Sequence, residues 1–235
     1  MLGIFKLNSI SKLVKNININ IPYVFGTNAY NQLGSSSLSS PTTSPVAINY
    51  SDVIFASCNY GFTFFIRCST PSDANSPRTL WAIGKNDNSF GSGGQLGSGN
   101  YTSLSTLTQV STTTDWLKFI GMRDTNPTYS SYGIKKNTST LFYTGNANSA
   151  FGTGWTNTSV IGNKPLSFTP VDLSAGVGFL MLLSSAGTLY GIGKNNSYQL
   201  GSGTTSDRMS TFLTITSGVS SFQCGLDFTL AIKTD

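Results

Sequence analysis

Histidine and glutamate are both missing from the 235 residues, and only 10% of the chain is charged. The first absence removes Ser-His-Asp and Cys-His nucleophile arrangements, together with His-based metal sites. The second leaves nine acids, all of them Asp. None falls in a calcium-loop pattern, and most sit in turn-like segments, where Asp bonds neighbouring backbone. Cys58, Cys68 and Cys224 show no metal-ligand spacing and no even disulfide count. A Cys58–Cys68 hairpin bridge is the one pairing left open. No apolar run approaches the ~20 residues that span a bilayer. The 14 Lys and Arg residues are scattered and form no stripe of the nucleic-acid-binding kind. The glycine-rich stretch FGSGGQLGSG at 90–99 lacks the Gly-Lys-Ser/Thr ending of a phosphate loop. The reading from these absences is a chain that is not an enzyme, with no cofactor, no metal, no nucleic-acid partner and no membrane partner.

What is present in quantity is Ser, Thr, Asn and Gly, arranged in a repeat. Four strand-like runs each end in a glycine turn: YVFGTNAYNQLG from Tyr23, LWAIGKNDNSFGSGGQLG from Leu80, LFYTGNANSAFGTGW from Leu141 and LYGIGKNNSYQLG from Leu189. The turn glycines Gly26, Gly84, Gly145 and Gly193 recur at roughly fifty to sixty residues, a spacing that means stacked or radial supersecondary units. Glycine permits the positive φ of a tight turn, and Asn195 and Asn196 can bond the backbone within it. Leu33, Leu96 and Leu200, each between Gln and Gly, are expected to be buried plugs beneath their turns.

A second motif recurs in phase with the first. Cys58-Asn-Tyr-Gly-Phe62-Thr63-Phe64-Phe65-Ile66 aligns without a gap on Cys224-Gly-Leu-Asp-Phe228-Thr229-Leu230-Ala231-Ile232, and Ala175-Gly-Val-Gly-Phe179-Leu180-Met181-Leu182-Leu183 is a third copy. Phe228, Leu230 and Ile232 share one face and Thr229 and Ala231 the other, which marks a strand. The copy between them is degenerate. Its strand is read as Tyr132-Gly133-Ile134 after an insertion GMRDTNPTYSS, and Phe151-Gly152-Thr153-Gly154-Trp155 replaces Gln-Leu-Gly. The segment 69–78, with two prolines, reads as a protruding loop.

Together the Gly-x-Asn…Gln-Leu-Gly turn at 193–201 and CGLDFTLAI at 224–232 resemble the regulator of chromosome condensation repeat. The resemblance covers residues 22–235 and implies a β-propeller with one four-stranded blade per repeat. Two departures stand out. Phe62 and Phe228 occupy positions where that family usually has His, and four units stand where its familiar members have about seven. Ile232-Lys-Thr-Asp235 breaks off where a further unit would continue, and Tyr23-Val-Phe-Gly26 matches that continuation, so the two ends are in phase to meet within one blade.

The expected fold is therefore all-β, a propeller of about four four-stranded antiparallel blades over residues 22–235, with a short N-terminal arm at 1–21. A closed small ring, an open arc and half of a dimeric ring all satisfy the pattern, so a homo-oligomer is left open. In the arm Leu2, Phe5, Ile10, Leu13, Val14 and Ile17 fall along one helical face and are the candidate partner-binding residues. The functional expectation is a structural, protein-binding module among the subunits of a large assembly. A viral particle component, capsid-decorating or tail, located in the virion, is the main reading, with an organelle or cytoplasmic complex as the alternative location. Two alternative functions remain. The resemblance implies an exchange-factor-like regulator of a small GTPase. Turn aromatics such as Trp155, Tyr30 and Tyr198 suggest a carbohydrate-binding propeller.

Overall fold

The computed structural model describes residues 21–87, 93–123, 128–151 and 154–234. All the sheets are antiparallel. Three are complete four-stranded blades, and a two-stranded half-blade stands at each end. The N-terminal half-blade pairs β1 (Tyr23–Gly26) with β2 (Thr42–Ala47). The first complete blade runs β3 (Val53–Asn59), β4 (Phe62–Arg67), β5 (Thr79–Gly84) and β6 (Leu104–Gln109). The second runs β7 (Trp116–Arg123), β8 (Tyr129–Lys135), β9 (Thr140–Asn146) and β10 (Asn157–Pro165), with a one-turn helix α1 (Ala147–Phe151) between its last two strands. The third runs β11 (Pro170–Ala175), β12 (Phe179–Ser184), β13 (Leu189–Gly193) and β14 (Arg208–Thr216). The C-terminal half-blade pairs β15 (Val219–Cys224) with β16 (Thr229–Lys233).

The hydrophobic cores lie between blades. Phe62, Phe64 and Ile66 of β4 pack against Trp116 and Phe119 of β7 in one cluster, with Phe64 and Phe119 edge to face at 4.7 Å. Tyr132, Leu141, Phe151 and Trp155 of the second blade meet Leu173, Leu180 and Leu182 of the third. Phe179, Met181 and Leu200 meet Val219 and Phe222 of β15. Each fully buried aromatic of this kind contributes about 1.5–3 kcal/mol through burial alone. Stability in this architecture belongs to the seams between neighbours.

The turns obey a local rule. In three of them a buried Asn, two residues after the turn glycine, clamps the loop from inside. Leu33, Leu96 and Leu200 donate their N–H groups to Oδ1 of Asn28, Asn86 and Asn195 at 3.0, 2.9 and 2.9 Å. The Nδ2 of each Asn donates to backbone carbonyls farther along, such as Ser35 O at 2.9 Å, Asn100 O at 2.9 Å and Thr204 O at 2.6 Å. In the second blade Ala147 holds the Asn position and no clamp forms. The chain winds into α1 instead, and Phe151 and Trp155 fill the core that a turn leucine fills elsewhere.

The expected all-β propeller of about four antiparallel blades is what the structure shows, as three whole blades and two halves that do not pair among the described residues. Other expectations need correction. Leu96 and Leu200 are buried as expected, but Leu33 is only half-buried, because its half-blade lacks a neighbour on one side. Most of the supposed insertion at 121–131 is strand: Gly121–Arg123 extend β7, and Tyr129–Ser131 open β8. Ser130, opposite Gly145, thus takes the place of Phe62, Phe179 and Phe228. The cysteines are free. The Cys68 thiol donates to Ser76 O at 3.9 Å within the 69–78 loop.

Candidate functional site

At one end of the blades, the turns between first and second strands meet the segments that follow the turn glycines. The contacts require glycine. Gly84 and Gly193 have φ of 109° and 110°, and a Cβ at either would overlap the carbonyl oxygen of Gly61 or Gly178 alongside. The next residue then bonds across the turn: Lys85 N donates to Gly61 O at 2.7 Å, and Lys194 N to Gly178 O at 2.9 Å. Blades are tied to each other in the same layer. Gly178 N donates to Arg123 O at 3.0 Å, and Val177 N to Leu226 O at 2.8 Å.

This layer brings together aromatic and basic side chains, of which Tyr60, Arg123 and Leu226 are exposed, Tyr30 and Lys194 half-buried, and Lys85 and Tyr129 buried beneath them. The Lys85 ammonium sits 4.8 Å over the Tyr30 ring and 3.8 Å from Asp87 Oδ1. The adjacent Tyr60, 53% exposed, stacks on Tyr129 with centroids 5.8 Å apart and planes within 4°. Burial pushes the Tyr129 hydroxyl above its ordinary pKa, while the Arg123 charge pulls it down and Tyr60 and Tyr30 push it up. Beyond Arg123 a cleft of about 360 Å³ is lined by Arg123, Val177, Lys194, Asn196, Leu226 and Asp227. Flat aromatic surface, a guanidinium and an exposed leucine make a surface of the kind enriched in protein interfaces. Among the described residues no cluster of three His, Cys, Asp or Glu could hold a metal.

The residues singled out from sequence fare differently. Leu2, Phe5, Ile10, Leu13, Val14 and Ile17 lie outside the described residues. Trp155 is buried between Tyr143, at 5.0 Å, and Phe151, so it is no sugar-stacking platform. Tyr30 is half-buried with its ring against the buried Lys85, and of the three only Tyr198 is open to solvent. Sequence reasoning missed Tyr60, Tyr129 and Arg123. Arg123 and Tyr129 face each other at the ends of β7 and β8, Tyr60 lies in the preceding blade, and the three share no motif. The signal for Tyr60 was its place in the turn before Phe62.

Fold and seams define a class: an arc of β-propeller blades built from one repeated unit. Residues 186–232 match the family model of the regulator of chromosome condensation (RCC1) repeat, the family that the Gln-Leu-Gly and CGLDFTLAI motifs resemble. No curated protein sequence matches the chain. Solved structures do. Human WBSCR16 aligns with a TM-score of 0.67 at 18% identity, over 90% of this chain and 54% of that one. Yeast RCC1 (Prp20), in complex with Kap60, aligns with a TM-score of 0.68 at 14% identity, over 91% and 50%. Prp20p from Saccharomyces cerevisiae, described with its binding properties to Gsp1p and histones, aligns with a TM-score of 0.67 at 13% identity, over 92% and 52%. The chain therefore spans about half the length of these proteins, and the likeness is one of fold. These neighbours overturn the expectation of a viral capsid-decorating or tail protein, which rested on the low charge and polar surface alone.

Proposed function

We propose that this chain is a protein-binding propeller module that works as an exchange-factor-like regulator of a small GTPase, within a cytoplasmic protein complex. The carrying observation is the surface of exposed Tyr60, Arg123 and Leu226 with half-buried Tyr30 and Lys194, backed by the buried Lys85 and Tyr129, on an RCC1-type fold. The RCC1 repeat at 186–232 and the association of the yeast neighbour with Gsp1p support the partner class. Aromatic and aliphatic groups would supply most of the affinity, and the basic groups would favour an acidic rim on the partner and speed encounter. On this reading the chain makes and breaks no covalent bond and uses no cofactor or metal. Its work is to favour one conformation of a bound protein over another.

The test is nucleotide release. The chain should accelerate loss of a fluorescent guanine nucleotide from at least one small GTPase. A Tyr60→Ala/Arg123→Ala variant should bind that GTPase at least tenfold more weakly, a change of about 1.4 kcal/mol or more. Binding and release unaffected by both substitutions would place the contact elsewhere and remove this face from the proposal.

A further inference from the structure

We propose that the cavity between the first and second complete blades binds a small organic carboxylate, held by the buried ammonium of Lys135. The cavity measures about 470 Å³, within the ~300–1,000 Å³ range of small-molecule sites. Residues 97–99 and 110–113 line it from the first blade, and Trp116, Lys135, Phe142 and Ile161 from the second. Lys135 closes β8 at the end opposite Tyr129, so the cavity is separate from the Tyr60–Arg123 face.

The repeat itself shows what Lys135 lacks. Arg67 ends β4 as Lys135 ends β8: Arg67 is opposite Val53, and Lys135 is opposite Trp116. Each of those partners follows an Asp, Asp52 or Asp115. In the first blade the Arg67 guanidinium lies 4.5 Å over the Trp81 ring, and its Nε donates to Asp52 Oδ1 at 2.8 Å. Lys135 keeps the aromatic half of this arrangement. Its Nζ sits 4.4 Å over Trp116 and 4.7 Å over Phe142, the residue in the place of Trp81. The ionic half is gone. Asp115 is exposed, and among the described residues no carboxylate lies within 4 Å of the Lys135 ammonium. Its hydrogen-bond acceptor is the neutral Thr113 Oγ1. Lys135 is also buried, whereas Arg67 is half-buried. Burial pushes the Lys135 amine below its ordinary pKa, against the opposing pull of the Asp115 charge. Buried charges are normally paired, and ring faces offset only part of the cost of desolvation. A bound carboxylate would supply here what Asp52 supplies to Arg67.

The rest of the lining selects the ligand. One ammonium matches a monoanion, not a dianion such as phosphate. Val110, Trp116, Phe142 and Ile161 offer apolar wall for a hydrocarbon or aromatic body. Thr113 Oγ1 accepts from Lys135 and exchanges a hydrogen bond with Ser111 Oγ at 2.9 Å. That hydroxyl pair has one hydrogen left to donate to a carboxylate oxygen. Thr112, Thr113 and Asn163 are exposed, so the mouth is open to solvent while Trp116 and Lys135 form the floor. A ligand seated there touches both blades and ties their seam.

The probes are benzoate and hexanoate, with benzamide as the uncharged counterpart of benzoate and inorganic phosphate as the competing anion. Calorimetry on the full chain should show one site, with a Kd below ~1 mM for at least one carboxylate. Benzoate should bind at least tenfold tighter than benzamide, and either carboxylate tighter than phosphate. Because the ligand binds only the folded seam, it should also raise the melting temperature. Lys135→Met keeps the apolar stem without the charge; it should retain the sheet circular dichroism signal and weaken binding at least tenfold. Lys136→Met, at the neighbour whose Nζ donates to Ala74 O at 2.7 Å, should not. A second measurement needs no variant: reductive methylation of Lys135 should slow in saturating benzoate, and that of Lys136 should not. Absence of saturable binding by either carboxylate overturns the proposal, as does equal affinity for benzamide or a preference for phosphate. Binding that survives Lys135→Met, or methylation of Lys135 unchanged by benzoate, overturns it equally. None of these outcomes bears on the GTPase reading, which has its own face and its own assay.

Discussion

β12 and β16 are the same strand of two successive repeats, yet all six residues of β12 are buried and β16 is exposed along nearly its whole length. Their sequences, Phe-Leu-Met-Leu-Leu-Ser and Thr-Leu-Ala-Ile-Lys, both read as core strands. The difference comes from what flanks them. β12 lies between β11 and β13 and is covered by blades on both faces, whereas β16 has β15 on one edge and, among the described residues, no strand on the other. In a propeller, burial is a property of position in the ring, and a strand's own hydrophobicity only qualifies it for the place.

The largest effect expected from this contrast is on the aromatic that opens each strand. Phe179→Ala removes a ring packed against Met181, Leu200 and Phe222, and should cost about 3–5 kcal/mol in urea unfolding. Phe228→Ala, at the exposed residue just before β16, should cost less than ~0.5 kcal/mol, as surface changes do. Equal losses would mean that the end half-blade is covered by its own chain.

The same contrast explains what was legible beforehand. Turn glycines, plug leucines Leu96 and Leu200 and the Phe62 and Phe228 strands were visible because each is fixed by contacts within its own unit or with the next. Leu33 was misjudged because its environment depends on a neighbour the sequence pattern assumes. Ser130 escaped because the strand pairing of β8 overrides the weak local signal of Tyr-Ser-Ser. Trp155 looked like an exposed turn aromatic because the replacement of a clamp Asn by Ala147 rebuilds the loop in a way that no alignment of motifs conveys. The Tyr60–Tyr129 stack was invisible for a plainer reason. Those residues lie in different blades, and only the ring geometry brings them together.

The Asn clamps offer a middle-sized test of interior against end. Asn195 accepts from the buried Leu200 N–H and donates to three further groups. Asn195→Ala strands that N–H away from water and should cost about 1–3 kcal/mol. Asn28→Ala makes the same deletion beneath the half-buried Leu33, where water can replace the lost acceptor, and should cost measurably less. If Asn28→Ala proves as costly as Asn195→Ala, the end turn is dry and the half-blade is enclosed.

The smallest effect concerns the paired cysteine positions. Cys58 in β3 is exposed, whereas Cys224 in β15 is packed against the third blade. Burial pushes the Cys224 thiol up to about 11, opposed by its bonds with Ser174 and Thr229 and reinforced by the Asp172 charge. The unfolded thiol ionises near 9.0. Between the two values the unfolded chain has released its proton and the folded chain has kept it. The unfolded state therefore binds fewer protons, and stability must fall as pH rises through that window. At pH ~9.5 the loss from this group should be about 1 kcal/mol. The readout is the difference in urea midpoint between wild type and Cys224→Ala across that range, since other groups that ionise there are common to both. A seam that opens readily would let Cys224 ionise near its unfolded value and erase the difference. Persistence of the slope would show that even the last seam of the arc, between β15 and the third blade, is closed as tightly as those inside it.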